Sequence, residues 1–390
     1  MAALARLLPS FTLLLFILAT TIGAFHGGMW ASLGIGGAVI LFIATAILDK
    51  RISGPQRDLT ILALSALAIM GILNFQSFRP DISWEMELRL ATIFLPLILL
   101  SAPRLQTYAS HPKFFTTLLA AMVAGALTLS VELYLKGPLL HARDPMGRLT
   151  QYNRGLSYLI ILAFPTMGFL WRSERRWLLL PFLCALLIPA SLTESRSAKL
   201  ALMLALPAII IAQVWPVLAR RGLALLPFLA IGWPFAAQQF FLKYENLLPR
   251  FPDSWRARME IWDYMSYRIM EKPWLGWGLG TASSLPFQEP HGTQYVFTIV
   301  PAAHAHNAIV QLWVELGLPG VALGIAFALL LLRKASRLPA DIAPFAIGAW
   351  VAALCLSMTA YNLWTDSLFA CFALTGLAFA LLAKTTPSRT

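Results

Sequence analysis

About twelve apolar stretches, each close to the length of a bilayer crossing, leave this chain few folds to choose from. They lie near 9–25, 30–49, 59–75, 86–102, 114–135, 155–171, 176–190, 198–214, 221–241, 308–332, 342–360 and 364–383. A spanning helix needs roughly 20 predominantly apolar residues, and each of these segments comes close to that length. Hydrophobic residues make up 58% of the chain and charged residues 12%, with a mean hydropathy of +0.70. A soluble protein of this length is far more polar. The expected fold class is therefore an all-α polytopic membrane protein of about twelve transmembrane helices. The fourth and eighth segments carry charge near their starts. Arg6 ahead of an apolar core gives the first the look of a signal peptide, but similar segments follow and no clean small-x-small site stands out, so it reads as a retained span.

Basic residues set the orientation. With the N-terminus inside, the inner connections carry Lys50, Arg51, Arg57, Arg104, Lys113, Arg172, Arg175, Arg176, Arg220, Arg221, Arg333, Lys334 and Arg337, and the tail adds Lys384 and Arg389. Short connections rich in Lys and Arg face the cytoplasm. The net charge of +12 is mostly this topological signal, so no nucleic-acid partner is expected. Cys184, Cys355 and Cys371 fall inside expected spans, which leaves no disulfide framework and no metal-spaced cluster. The expected organisation is 1–242 with helices one to nine, 243–304 as an outer loop or lid, and 305–390 with helices ten to twelve. A connection as long as 243–304 is usually functional or disordered. Its helical stretches and Trp255, Trp262, Trp274 and Trp277 favour an ordered lid.

The outer connections should be poor in Lys and Arg, yet they hold Lys136, Arg143, Arg148, Arg154, Arg196, Lys199, Lys243, Arg250, Arg256, Arg258, Arg268 and Lys272. Any one of these reads as solvated surface charge or as headgroup contact. Several at helix mouths on one side would form a site for a polyanion. Arginine's planar fork grips phosphate oxygens in pairs, so pyrophosphate is the natural candidate. Within 253–280, Arg258 and Trp262 are one helical turn apart, Pro273 ends the helical pattern, and "GWGLG" at 276–280 leaves a backbone free to turn tightly or approach a ligand. No strand precedes that turn, which argues against a dinucleotide fold.

The stretch "PAAHAHNAIVQLWVELGLPG" at 301–320 places His304, His306 and Asn307 where the long loop enters the tenth helix. Neutral imidazole is suited to take a proton from a hydroxyl near neutral pH. The plainer reading of His306 is a helix-mouth histidine bonded to a loop carbonyl. Asn307 is a candidate helix cap or a partner that orients the imidazole. Glu315, inside the span, is a functional candidate by default, with a packing or helix-pairing role equally open. His26, His111, His141 and His291 have no comparable context. Metal chemistry finds little support, because His304 and His306, two apart, would point to different helix faces. Asp81, Glu85 and Glu87 form an outward acidic cluster that keeps a metal alternative open.

Three parts of the chain resemble the O-antigen ligase and polymerase superfamily of bacterial inner-membrane proteins, and the ligases most. They are "SRS" at 195–197, Arg258 and Trp262 followed by "PWLGWGLG" at 273–280, and His306-Asn307 with Gly317 and Gly320 at the ligases' motif spacing. The resemblance implies a metal-independent, inverting glycosyltransferase with a GT-C-like fold and no cofactor, its site facing the periplasm of a Gram-negative inner membrane. The implied donor is polysaccharide on undecaprenyl diphosphate, and the acceptor is a sugar hydroxyl of lipid A–core, both presented among membrane lipids. On the matching positions His306 is the expected general base, Arg196, Arg256 and Arg258 with Arg154 the donor diphosphate site, and His304 and Asn307 supporting residues. Related enzymes use a lipid-linked repeat unit (polymerases) or a serine or threonine (protein O-oligosaccharyltransferases, which usually run longer). A lipid-linked glycan transporter is a different class. It should show repeated halves and polar groups at mid-depth, whereas here the polar residues cluster at outer helix ends.

Overall fold

The structure is a computed structural model that describes residues 2–48, 54–135, 137, 145–286, 295–298 and 304–385. Lys50, Arg51, Lys136, His141, Arg143, His291 and Arg389 lie outside these residues, as does the side chain of Arg148.

Lipid offers the backbone no hydrogen-bond partner, so an apolar chain of this kind pairs its amides within helices. Among the described residues every regular element is helical. In chain order they are α1 (Ala2–Phe25), α2 (Met29–Leu48), α3 (Arg57–Asn74), α4 (Pro80–Leu99), α5 (Pro103–Tyr108), α6 (Phe114–Tyr134), α7 (Pro145–Arg172), α8 (Leu179–Leu192), α9 (Arg196–Val214), α10 (Pro216–Leu225), α11 (Leu229–Tyr244), α12 (Asp253–Glu271), α13 (Ala308–Ser336), α14 (Ala343–Thr359) and α15 (Asp366–Lys384). Proline opens α4, α5 and α10, where its missing N–H costs nothing and its fixed φ suits the first turn.

Each of the twelve expected segments falls on helix. Among the described residues, nine helices are long and apolar enough to cross a membrane, and Arg176–Leu192 and Ala343–Thr359 are apolar but shorter. The chain is thus a multi-pass membrane protein. The fourth expected segment falls short because Asp81, Glu85, Glu87 and Arg89 occupy the first half of α4. The ninth counts among the nine as one crossing over Pro216–Tyr244, built of α10 and α11 with a 3₁₀ turn at Leu226–Phe228 between them.

The bundle is organised around α7, whose spanning window is 83% buried. It packs against α1, α6, α8, α9, α14 and α15. A second apolar core joins α11, α12 and the first half of α13 through Phe241, Met265, Ile269, Val310 and Trp313. This places α12, the main helix of the long connection, against the mouth of α13. One end of the bundle therefore gathers the starts of α7, α9 and α13 together with α12. The other end holds the Arg172–Asp341 and Lys334–Asp58 ion pairs.

Candidate active site at the mouth of α13

The site rests on a broken helix. Gly317 has φ +60° and ψ −151°, so α13 is two helices joined at a kink. A left-handed φ is cheap only for glycine. Breaking the helix frees backbone groups, and the "PWLGWGLG" segment takes them up: Trp277 and Gly278 donate to the carbonyls of Val314 and Glu315 at 2.8 and 2.9 Å, and Leu318 donates to Pro273 at 3.0 Å. The approach is close enough that a Cβ on Gly276 would lie 2.5 Å from the Glu315 carbonyl, and one on Gly317 2.6 Å from that of Trp274. The glycines of this turn therefore serve backbone-to-backbone contact with the kinked helix. Glu315, 1% exposed, ties the joint together. Its carboxylate accepts from Gly280 N at 2.7 Å, Trp364 Nε1 at 2.5 Å and Gln311 Nε2 at 3.1 Å. Of its two open readings, the structure gives Glu315 the packing one.

With the kink fixed, the upper half of α13 is aimed and its start becomes a defined point. Asn307 is the N-cap: its Oδ1 accepts from Ile309 N at 2.9 Å and Val310 N at 3.2 Å. Ala305 is held from the other side, where its carbonyl accepts from Trp262 Nε1 of α12 at 2.9 Å. Between these two clamps His306 takes φ +50°. For a residue with a Cβ this costs on the order of 1–3 kcal/mol, and such strain persists only where its surroundings enforce it. The twist brings the His304 and His306 rings to 4.0 Å centroid to centroid and sets His306 Nδ1 3.4 Å from the Ala360 carbonyl, in the turn between α14 and α15. A carbonyl only accepts, so this contact suits the tautomer with its proton on Nδ1 and Nε2 bare.

Around the two imidazoles the charge is positive. Arg258, from α12, has its Nη1 on the Ser254 carbonyl at 2.7 Å and its Nε buried without a partner. Arg154, from the first half of α7, likewise has an unpartnered buried Nε. Arg196 opens α9, behind the cap formed by Ser195. Burial first, then His306, Arg154 and Arg258, push His304 down to about 3. Burial and Arg258 hold His306 below the ordinary histidine range, with the Ala360 carbonyl pulling the other way. Burial, then Arg196, lowers Arg258 itself. These mutual effects put Arg154, Arg196, Arg258, His304 and His306 in one electrostatic neighbourhood. Among the described residues no carboxylate forms an ion pair with any of the three arginines.

Much of this site lies in a stretch of chain that is similar to known proteins. Residues 181–325 match the family model described as O-antigen ligase. This region is similar to the O-antigen ligases. A Rickettsia conorii protein described as a candidate polysaccharide ligase is 27% identical over 111 residues, 27% of this chain and 27% of its own length. The ligase-type region runs from α8 into α13 and contains Arg196, Arg258, His304, His306, Asn307, Gly317 and Gly320. Arg154 and the Ala360 carbonyl reach the same neighbourhood from outside it.

Not every basic residue on this side joins the site of the ligase-type region. Arg256 is turned to Glu260 at 3.3 Å and over the Phe297 ring at 5.6 Å. Arg268 pairs with Glu271 at 2.9 Å. Lys199 Nζ donates to the Thr193 carbonyl at 2.9 Å, and Lys272 sits 4.3 Å over the Trp277 ring. The acidic cluster is dispersed along α4: Asp81 pairs with Arg79 at 2.7 Å and Glu87 accepts from Asn74 at 2.5 Å. Sequence reasoning missed Trp262 as the clamp on the histidine loop. It also missed the Ala360–Thr365 turn, whose Asn362 accepts from Gln311 at 2.8 Å. The one-turn spacing of Arg258 and Trp262 was the available signal for the first. For the turn there was none.

Proposed function

We propose that this protein is an O-antigen ligase. It transfers polysaccharide from undecaprenyl diphosphate onto a sugar hydroxyl of lipid A–core at the periplasmic face of a Gram-negative inner membrane. One observation supports the reading most: Arg154 and Arg258 act on the two histidines and Arg196 acts on Arg258, and among the described residues none of the three arginines has a carboxylate in an ion pair. A cationic, partly desolvated site whose arginines have no carboxylate in an ion pair among the described residues suits an incoming anion. A diphosphate leaving group brings that charge, and bidentate guanidinium contacts stabilise it as the glycosidic bond breaks.

In this reading the acceptor hydroxyl attacks the anomeric carbon directly and gives its proton to Nε2 of His306, with inversion of configuration. The Ala360 carbonyl holds the tautomer that leaves Nε2 open. A depressed pKa keeps the imidazole neutral but makes it a weak base in the free enzyme. The donor diphosphate offsets the field of Arg258 and raises that basicity only when substrate is bound. Asn307 and Trp262 fix where His306 sits, and His304 supports it from 4.0 Å. Among the described residues no three His, Cys, Asp or Glu side chains come together, so this reading assigns leaving-group stabilisation to guanidinium groups.

The test is reconstitution of the purified full chain with lipid-linked polysaccharide and lipid A–core. Product is expected without ATP or an ion gradient, in the presence of EDTA, and with inverted anomeric configuration. Strict dependence on a divalent metal, or retained configuration, overturns the mechanism. Replacing the core by a lipid-linked repeat or a peptide separates ligase from polymerase and from protein glycosyltransferase.

A further inference from the structure

At the far end of the bundle, where α10 meets the last turns of α13, a cavity of about 300 Å³ is lined by Arg220, Arg333, Arg337 and Ser336, with Leu329 and Leu332 forming an apolar wall. Arg220, Arg333 and Arg337 are exposed at the rim of this cavity, whereas the buried Arg172 and half-buried Lys334 of the same end have taken acids. Arg172 holds Asp341 at 2.5 Å, and Lys334 holds Asp58 at 2.8 Å. Arg220, Arg333 and Arg337 have no carboxylate in an ion pair among the described residues. Ser336 spends its hydroxyl proton on the Leu332 carbonyl at 2.8 Å, leaving its oxygen lone pairs toward solvent or ligand. Three exposed guanidinium groups around one cavity offer an anion several charge-assisted donors at once.

A second observation narrows that anion. The short helix α10 that contributes Arg220 exposes Trp215 beside its start and Leu218 and Leu225 along it, at 59%, 64% and 68%. Large apolar side chains and a tryptophan next to arginines are the marks of a segment lying in the membrane–water interface. An occupant that meets both the arginines and this apolar flank carries a phosphate and acyl chains on one molecule.

We infer that this cavity is a binding site for the phosphate of an anionic membrane phospholipid, distinct from the cationic cluster at the opposite end of the bundle. The three arginines hold the phosphate oxygens, and the acyl chains run along Leu329, Leu332 and the exposed face of α10. The inference stands whichever reaction the other end performs.

The experiment is native mass spectrometry of the full chain in detergent, titrated with phosphatidylglycerol, with phosphatidylcholine, and with inorganic phosphate. Phosphatidylglycerol is expected to bind in a one-to-one complex at least about tenfold more tightly than phosphatidylcholine, and inorganic phosphate to displace it poorly. The Arg333→Gln/Arg337→Gln double variant should lose about tenfold or more of that affinity, as removal of charge-assisted bonds requires. Arg221→Gln, which changes the neighbouring charge but not the cavity lining, should keep it. Equal binding of the two lipids by the native chain overturns the site. So does full retention in the double variant, or an equal loss in Arg221→Gln, which makes the effect one of diffuse charge. Displacement by inorganic phosphate at comparable concentration overturns the lipid as occupant. Each variant's thermal unfolding midpoint, measured without lipid, separates lost binding from lost folding.

Discussion

Arg172 is buried and Arg258 half-buried in the same bundle, and they are satisfied in opposite ways. Arg172, 5% exposed, donates from Nε and Nη2 to Asp341 at 2.5 and 2.8 Å and from Nη1 to the Leu382 and Thr385 carbonyls at 2.8 and 3.0 Å. Arg258 has one backbone carbonyl, a buried Nε without a partner, and Arg196 near enough to lower its pKa. The first side chain carries its own counter-ion and locks α7 to the chain around α14 and α15. The second is left electrostatically incomplete at a helix mouth beside two histidines. A half-buried guanidinium with an unpartnered Nε is a cost to stability, and a fold that tolerates one gains something other than stability. The difference separates an arginine that holds the protein together from one that the proposed function assigns to the donor diphosphate.

The largest expected effect falls on His306. Loss of a general base costs about 10² to 10⁴ in rate, roughly 3 to 5 kcal/mol of barrier. His306→Ala should abolish measurable ligation in the reconstituted system while the unfolding midpoint stays close to that of the native chain, because alanine keeps the Cβ that strains the left-handed φ at 306. His306→Gly gives the sharper comparison: equally inactive, and at least as stable. If His306→Ala ligates near the native rate, the site is wrongly assigned. Next comes Arg258→Lys, expected to lose roughly tenfold or more in kcat/KM, since a point charge cannot reproduce a two-pronged grip, with stability unchanged or improved. Arg172→Gln should do the reverse. Breaking a buried pair costs about 3–5 kcal/mol, and the partial exposure of Asp341 brings that down to roughly 1–3 kcal/mol. The surviving folded protein should ligate normally. An Arg258 variant that unfolds, paired with an Arg172 variant that merely slows catalysis, would invert the comparison.

Much of this was legible in the sequence because membranes impose a simple code. Apolar length marked helices, and the segment that fell short, at α4, was already suspect for its charges. The pair His306-Asn307 at the start of an apolar run, and arginines on the side that should lack them, marked the site end of the bundle. The remainder depends on long-range geometry. "GWGLG" read as a loop free to meet a ligand, yet its partner is the broken backbone of α13, and nothing local announces that Gly317 needs Trp277 and Gly278. Arg256 and Arg258 are two apart on one helix, and the sequence gives them one role. A helical step of two residues turns their side chains to different faces, so Glu260 takes one and the histidine cluster receives the other.

The pH dependence sharpens the same contrast. A general base works deprotonated, so activity falls as pH drops through its pKa. Burial and Arg258 hold His306 below the ordinary histidine value, so the acid limb of kcat/KM, which reports the free enzyme, should lie below about pH 6.5. Removing a positive neighbour favours the protonated form. Arg258→Gln should therefore move that limb to higher pH, besides lowering its plateau. Arg172→Gln, at the other end of the bundle, should leave its position alone. A limb that stays fixed in Arg258→Gln would mean that the two groups do not share a field.

The smallest effect is expected at Arg256, where sequence and geometry disagree most directly. By spacing it belongs with Arg258 on the donor diphosphate. In the structure its Nε faces Glu260 at 3.3 Å and its guanidinium lies over Phe297. Glu260 is 1% exposed, so loss of its cation would cost about 3–5 kcal/mol were that cation its main support. It is not, because the carboxylate also accepts from the backbone of Val296, Phe297 and Thr298 at 3.1, 2.8 and 3.0 Å. Three amide donors keep an ionised carboxylate well solvated. Arg256→Gln should thus cost about 1 kcal/mol or less, in keeping with a partly exposed pair, and change kcat/KM by no more than about threefold. Glu260→Gln should be worse for stability, since one amide oxygen must replace two carboxylate oxygens while its NH₂ meets backbone N–H groups as a second donor. That ordering comes from a loop-fastening role. If Arg256→Gln instead matches Arg258→Lys in lost ligation, Arg256 turns toward the donor when substrate binds, and its pairing with Glu260 belongs to the substrate-free chain alone.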